Sequence, residues 1–153
     1  MLYEWSYAMA KIDFYFDEWQ TDSKIDRTEL GEESIKIPQL HHKYYKFYSN
    51  ERLQMVKLNE DMKRLKKNKF VWYMGNMSRE ELDDLGWEQN PLKILKQDVP
   101  MYVDGDEDVI KLNLQIGYQK EKVDFLENAI RSLTNRGFNI KSAIDWEKFK
   151  VGI

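Results

Sequence analysis

From Gln39 to Met74 the chain carries neither proline nor glycine, and across that span residues recur at strict 4-3 spacing. The series is Tyr44, Tyr48, Glu51, Met55, Leu58, Met62, Leu65, Lys69 and Trp72. Such a repeat brings one set of side chains to a single face of a helix and leaves a strand with no consistent face. Pro38 suits a first helical turn, where its missing N–H costs nothing. The spacing therefore predicts one helix over 38–74, about 50 Å long at 1.5 Å per residue. Two seam positions are polar, Glu51 and Lys69, and the second falls where the apolar seam should continue.

A second series, Val109, Leu112, Ile116, Gln119, Val123, Leu126, Ile130 and Leu133, predicts another long helix over 106–136. Asn135-Arg136-Gly137-Phe138 reads as its end, with Gly137 supplying a left-handed turn, and a short C-terminal helix over 139–150 carries Ile140, Ile144, Trp146 and Phe149. Between the long helices, residues 76–104 form a connector. Ser78 with Glu81 makes a capping box there, Gly86-Trp87 a helix stop, Asn90-Pro91 the start of another short piece, and Val99-Pro100 a break. At the N-terminus Leu2, Trp5, Met9, Ile12, Phe16 and Trp19 outline an aromatic helical extension over 1–20. Residues 20–37 read as acidic and irregular, with a helical turn or two after Thr28.

The expected fold is all-α. Two long antiparallel heptad-patterned helices are joined by a connector with short helices and followed by a short C-terminal helix, within a single helical domain over 1–153. Two helices alone bury little core, so further copies of the chain should complete it as a homo-oligomer. The absence of cysteine excludes disulfides and thiolate metal sites and fits a cytoplasmic protein. No apolar run reaches the roughly 18 residues of a membrane span, so no membrane association is expected.

Net charge is −3, yet its distribution is uneven. Residues 1–33 carry 3 basic against 9 acidic side chains, residues 34–78 carry 10 against 3, residues 79–108 carry 3 against 10, and residues 109–153 carry 8 against 5. The basic block is densest at Lys63, Arg64, Lys66, Lys67 and Lys69, which run directly into Phe70, Trp72 and Tyr73 before Gly75. Cations displace counterions from phosphates, and aromatic rings stack on any base, so this composition suits single-stranded nucleic acid held without sequence reading. The same residues also suit the solvated end of a coiled-coil helix, where cations offset the carboxyl-end dipole. Charge and periodicity leave both readings open: a nucleic-acid binder, or a coiled-coil interaction protein with no nucleic-acid role.

Nothing in the chain points to an enzyme. His41 and His42 are neighbours on a helix and diverge, so they cannot chelate one metal. There is no Ser-His-Asp or Cys-His set, and no glycine stands in a phosphate-loop pattern. Asp104-Gly105-Asp106-Glu107-Asp108 lacks the alternating ligands of a calcium loop and reads as acids at a helix N-terminus, with Asp104 and Glu107 as cap partners. No metal and no cofactor are expected.

Three runs together resemble the UvsY family, the recombination mediators of large tailed phages. They are Asp106-Glu107-Asp108-Val109-Ile110-Lys111-Leu112, the stretch from Val123-Asp124-Phe125 to Arg136-Gly137-Phe138-Asn139-Ile140-Lys141, and Lys67-Asn68-Lys69-Phe70-Val71-Trp72-Tyr73-Met74-Gly75. The likeness covers about residues 26–150 and leaves roughly the first 20 without a counterpart. It implies an all-helical subunit in a ring-like homo-oligomer that binds single-stranded DNA. It also implies that the ring helps load a RecA-like recombinase onto strands covered by single-strand-binding protein, in the host-cell cytoplasm if phage-encoded. The family's Lys-x-Arg segment carries over to Lys67 and Lys69, with lysine in place of arginine at 69. Its C-terminal assembly region carries over to Phe125, Ile130, Leu133, Phe138, Ile140, Ile144, Trp146 and Phe149.

Overall fold

A computed structural model describes the backbone of residues 2–153 and the side chains of residues 11–153. Every regular element in it is helical. Helix α1 spans Leu2–Asp22, α2 Leu30–Tyr73, α3 Arg79–Leu85, α4 Val99–Asp104 and α5 Glu107–Lys150, with a 3-10 turn at Lys96–Asp98 before α4. Leu2, Trp5 and Met9 of the aromatic stripe have side chains outside the described residues. From Lys11 onward the inward face of α1 centres on Tyr15, which is buried, while Phe16 stays exposed.

All nine members of the 4-3 series in α2 are buried or half-buried, Glu51 and Lys69 included. The seam is therefore a packing surface along its whole length. The helix begins eight residues earlier than Pro38, at Leu30, with Pro38 inside it. An internal proline costs about 3 kcal/mol, and tertiary contacts hold this first turn regardless. Buried Glu33 meets Arg136 of α5 at 2.8 Å, and the Glu33 N–H donates to the Glu29 carbonyl. Asp26 accepts from the backbone N–H and hydroxyl of Thr28 just upstream.

A second correction concerns the C-terminus. Instead of a helix over 106–136, a turn at Gly137 and a separate helix over 139–150, α5 runs unbroken through Gly137, which has no positive φ. Leu126, Ala129, Leu133, Arg136 and Ile140 are buried at continuing 3-4 spacing, so burial on both sides of Gly137 outweighs its helix penalty of about 1 kcal/mol. The N-cap of α5 is Asp106, not Asp104: its Oδ1 accepts from the N–H groups of Asp108 and Val109. Pro100 likewise opens α4 rather than breaking a helix. Two of the connector's local signals appear as read: Ser78 and Glu81 form a reciprocal capping box, and Gly86 ends α3 at φ 66°. The short piece expected from Asn90-Pro91 is absent, since residues 87–95 form no regular element and the next turn begins at Lys96.

The chain forms two compact units, residues 1–53 with 120–153 and residues 54–119, where the sequence suggested one domain. Each has its own core. In the first, Tyr15, Tyr44, Leu126, Ala129 and Leu133 pack together with Trp19, Leu40, Phe47 and Phe125 around them. The pairs Glu33–Arg136 and Glu51–Lys122 show α2 and α5 running antiparallel there. Glu51, buried in this core, also pairs with Lys11 and accepts from the Tyr15 hydroxyl at 2.7 Å. Arg136 donates to the carbonyls of Asp22 and Lys24, capping the end of α1. In the second unit, Met62, Val99, Val103 and Val109 form the core, flanked by Leu65, Tyr73, Leu112 and Ile116. Among the described residues no helix is long and apolar enough to cross a membrane.

Candidate nucleic-acid interface

The basic stretch occupies the last three turns of α2, within the second unit. At 100° per residue Lys63, Arg64 and Lys67 share one arc of this helix, and all three are exposed. Lys63 pairs with Glu60 at 2.7 Å and Arg64 with Asp61 at 3.7 Å, each one turn back on the same helix. Such surface pairs contribute about 0–1 kcal/mol, so a phosphate can displace either carboxylate at small cost. Lys66 is half-exposed and reaches Asp104 at 3.3 Å. Lys67 makes no ion pair among the described residues.

Lys69 has a different environment. It is 8% exposed and lies between Asp106 at 3.2 Å and Asp108 at 2.8 Å. Its ammonium sits 4.4 Å from the centre of the Trp87 ring and 5.6 Å from that of Trp72. For this ammonium to reach a phosphate it would have to break two ion pairs and a desolvated cation–π contact. A cation on an apolar seam is here a cross-link between α2 and the start of α5.

The two rings assigned to base stacking are also engaged. The Trp72 indole N–H donates to the Glu88 carbonyl at 2.6 Å, and its ring meets Trp87 and Tyr73 edge to face. The Tyr73 hydroxyl donates to Asp106 at 2.7 Å. Burial, reinforced by that carboxylate, pushes the Tyr73 phenol up to about 12. Asn90 closes the arrangement by donating to the Tyr73 carbonyl at the end of α2. The depression lined by Trp72, Gly75, Met77, Leu82, Gln89 and Asn90 has room of about 10 Å³, enough for one water and far too little for a nucleobase. Of the three rings that follow the cations, Phe70 is the exposed one, although the sequence did not set it apart from Trp72 and Tyr73. Its signal was positional: it follows Lys63, Lys66 and Lys67 by seven, four and three residues.

The residues assigned to subunit contacts divide as well. Leu133 and Ile140 are buried within the chain, and Ile130 packs against the same core, so these positions serve the subunit's own interior. Phe125 meets Phe16 edge to face at 4.7 Å, and Ile144 is half-buried. Phe138, Trp146 and Phe149 are 74%, 55% and 72% exposed, with the last two rings stacked at 5.6 Å. Among the described residues no group of acidic or histidine side chains could hold a metal ion.

Residues 18–153 match the family described as "Recombination, repair and ssDNA binding protein UvsY". The chain is 25% identical over 136 residues to the recombination protein uvsY of Enterobacteria phage T4, covering 89% of this chain and 94% of that one. Its fold is similar to crystal structures of the bacteriophage T4 recombination mediator protein UvsY. One superimposes with a TM-score of 0.78 at 22% identity, over 90% of this chain and 98% of the other. A second crystal form gives 0.76 at 23% identity, over 91% and 96%. The matched stretch begins within α1 at residue 18, a few residues earlier than the likeness read from the sequence. By this match the chain belongs to the UvsY family of recombination, repair and single-stranded DNA-binding proteins.

Proposed function

We propose that the protein is a non-catalytic recombination mediator that holds single-stranded DNA by its backbone and promotes loading of a RecA-like recombinase onto strands covered by single-strand-binding protein. The observation that carries this reading is the exposed cation arc of α2 in a chain of the UvsY family: Lys63, Arg64 and Lys67, with Lys66 beside them. These side chains make the phosphate contacts. Contacts to phosphates carry no base identity, so binding is indifferent to sequence. The exposed Phe138, Trp146 and Phe149 support assembly into a ring-like homo-oligomer. Repeated weak sites around a ring hold one strand far more tightly than a single subunit could. A captured strand is thereby bent away from the single-strand-binding protein and presented to the recombinase.

A salt titration with a labelled oligonucleotide tests the reading. Affinity should fall steeply with salt, and Lys67→Ala should flatten the log–log slope by about one while leaving thermal stability unchanged. Lys69→Ala should do the opposite, lowering the melting temperature with little change in slope. An absence of binding at low salt would sink the reading; an unaltered Lys67→Ala slope would move the contacts elsewhere.

A further inference from the structure

We propose that Phe70 is the nucleobase platform of this interface, stacking on one base of the strand whose phosphates the α2 cations hold. The proposal rests on the single-stranded DNA reading above and adds a second kind of contact to it.

On a helix, positions three, four and seven residues apart are neighbours on one face, and side chains lean toward the N-terminus. Phe70 is that neighbour to Lys67, Lys66 and Lys63 at once, so its ring leans over the turn that carries two of the cations. Phe70 is 39% exposed. Trp72, Tyr73, Trp87 and Tyr102, all in the same unit, are each packed against another ring. Among the described residues Phe70 has no ring partner. Trp72 and Tyr73 are further fixed through their polar atoms, on Glu88 and Asp106. Turning either toward a base would break a hydrogen bond and an aromatic contact, whereas Phe70 has neither to lose.

The chemistry is complementary. A phosphodiester backbone along Lys63 and Lys67 places its bases to the side, where the flat apolar face of Phe70 offers a non-electrostatic contact. Stacking tolerates every base, so it adds affinity without adding sequence preference. A lysine-bound phosphate beside a stacked base also fixes the strand in two places on each subunit, which sets its direction across the helix.

The full-length protein is titrated with an oligothymidylate and with an abasic oligomer of the same length and charge. The wild type should prefer the thymidylate by roughly tenfold or more. Phe70→Ala should bring the thymidylate down to the abasic level with the salt slope unchanged. Phe70→Leu, which keeps the apolar contacts to the helix and removes the aromatic face, should behave as the alanine variant does and guards against a folding defect. A preserved preference in Phe70→Leu overturns the proposal, as does a wild type that binds both oligomers equally. A wild type that binds neither at low salt overturns the DNA reading itself, and binding of the abasic oligomer that fails with Lys67→Ala keeps that reading whatever Phe70 does.

Discussion

Asp106 is one side chain with three tasks. One oxygen caps α5, while the other accepts from the Tyr73 hydroxyl and pairs with Lys69. Burial alone would raise its pKa, but the Tyr73 and Lys69 hydrogen bonds outweigh it and hold the carboxyl below the usual 3.8. Glu33 is similar: burial pushes it up, yet Arg136 and Lys36 hold it below 4.5. Both groups bind fewer protons folded than unfolded in this range, so their stabilisation is complete above the ordinary carboxylate values and is lost as pH falls through the depressed ones. Urea melts across acid pH should show a plateau above about pH 5.5 and a decline below it. Asp106→Asn and Glu33→Gln should each start less stable and decline less steeply; acid limbs parallel to wild type would remove these groups from the account. The residue scale is also where the sequence misled. Lys69 stood out as a cation in an apolar seam, and that much was legible. Whether it faced solvent or a carboxylate depended on residues 37 and 39 positions further along the chain, which no local pattern specifies. For the same reason the seam position of Trp72 was legible but the hydrogen bonds that fix Trp72 and Tyr73 were not, since their partners Glu88 and Asp106 lie beyond the helix that carries them.

At the scale of elements, short-range chemistry read well and long-range support did not. The Ser78–Glu81 capping box and the Gly86 stop involve neighbours within a few residues, and both are present. The 4-3 repeats fixed which face of α2 turns inward. Pro38 and Gly137, by contrast, carry strong local signals for a helix start and a helix stop, and each sits inside a helix held by packing from both sides. Arg136 is the common cause, because it ties α5 at one point to the end of α1 and the beginning of α2. The continuity of α5 makes a sharp prediction. An added Cβ at Gly137 meets nothing within 4 Å, so Gly137→Ala should stabilise the fold by about 0.5–1 kcal/mol in urea denaturation. Had Gly137 formed a left-handed turn, the same change would destabilise it, so the sign of the shift decides between the two backbones.

For the whole molecule, the two units each enclose a core, and the large exposed rings near the end of α5 remain outside both. If those rings join subunits, Phe138→Glu with Phe149→Glu should yield a smaller species by light scattering with unchanged helical circular dichroism. That species should lose most affinity for a long oligonucleotide, because single sites no longer act together. A variant with wild-type mass would place assembly on another surface. The clamp by which Arg136 holds α1 also bears on how the protein is made. The carbonyl of Asp22 waits for a guanidinium 114 residues downstream. At synthesis rates of about 5–20 residues per second, that is roughly 6 to 23 seconds. Throughout that interval a helix bearing Phe14, Tyr15, Phe16 and Trp19 has left the ribosome before the α5 surface it docks on exists. The nascent chain is thus at its stickiest before α5 is made, and α1 is a segment a chaperone would meet ahead of it.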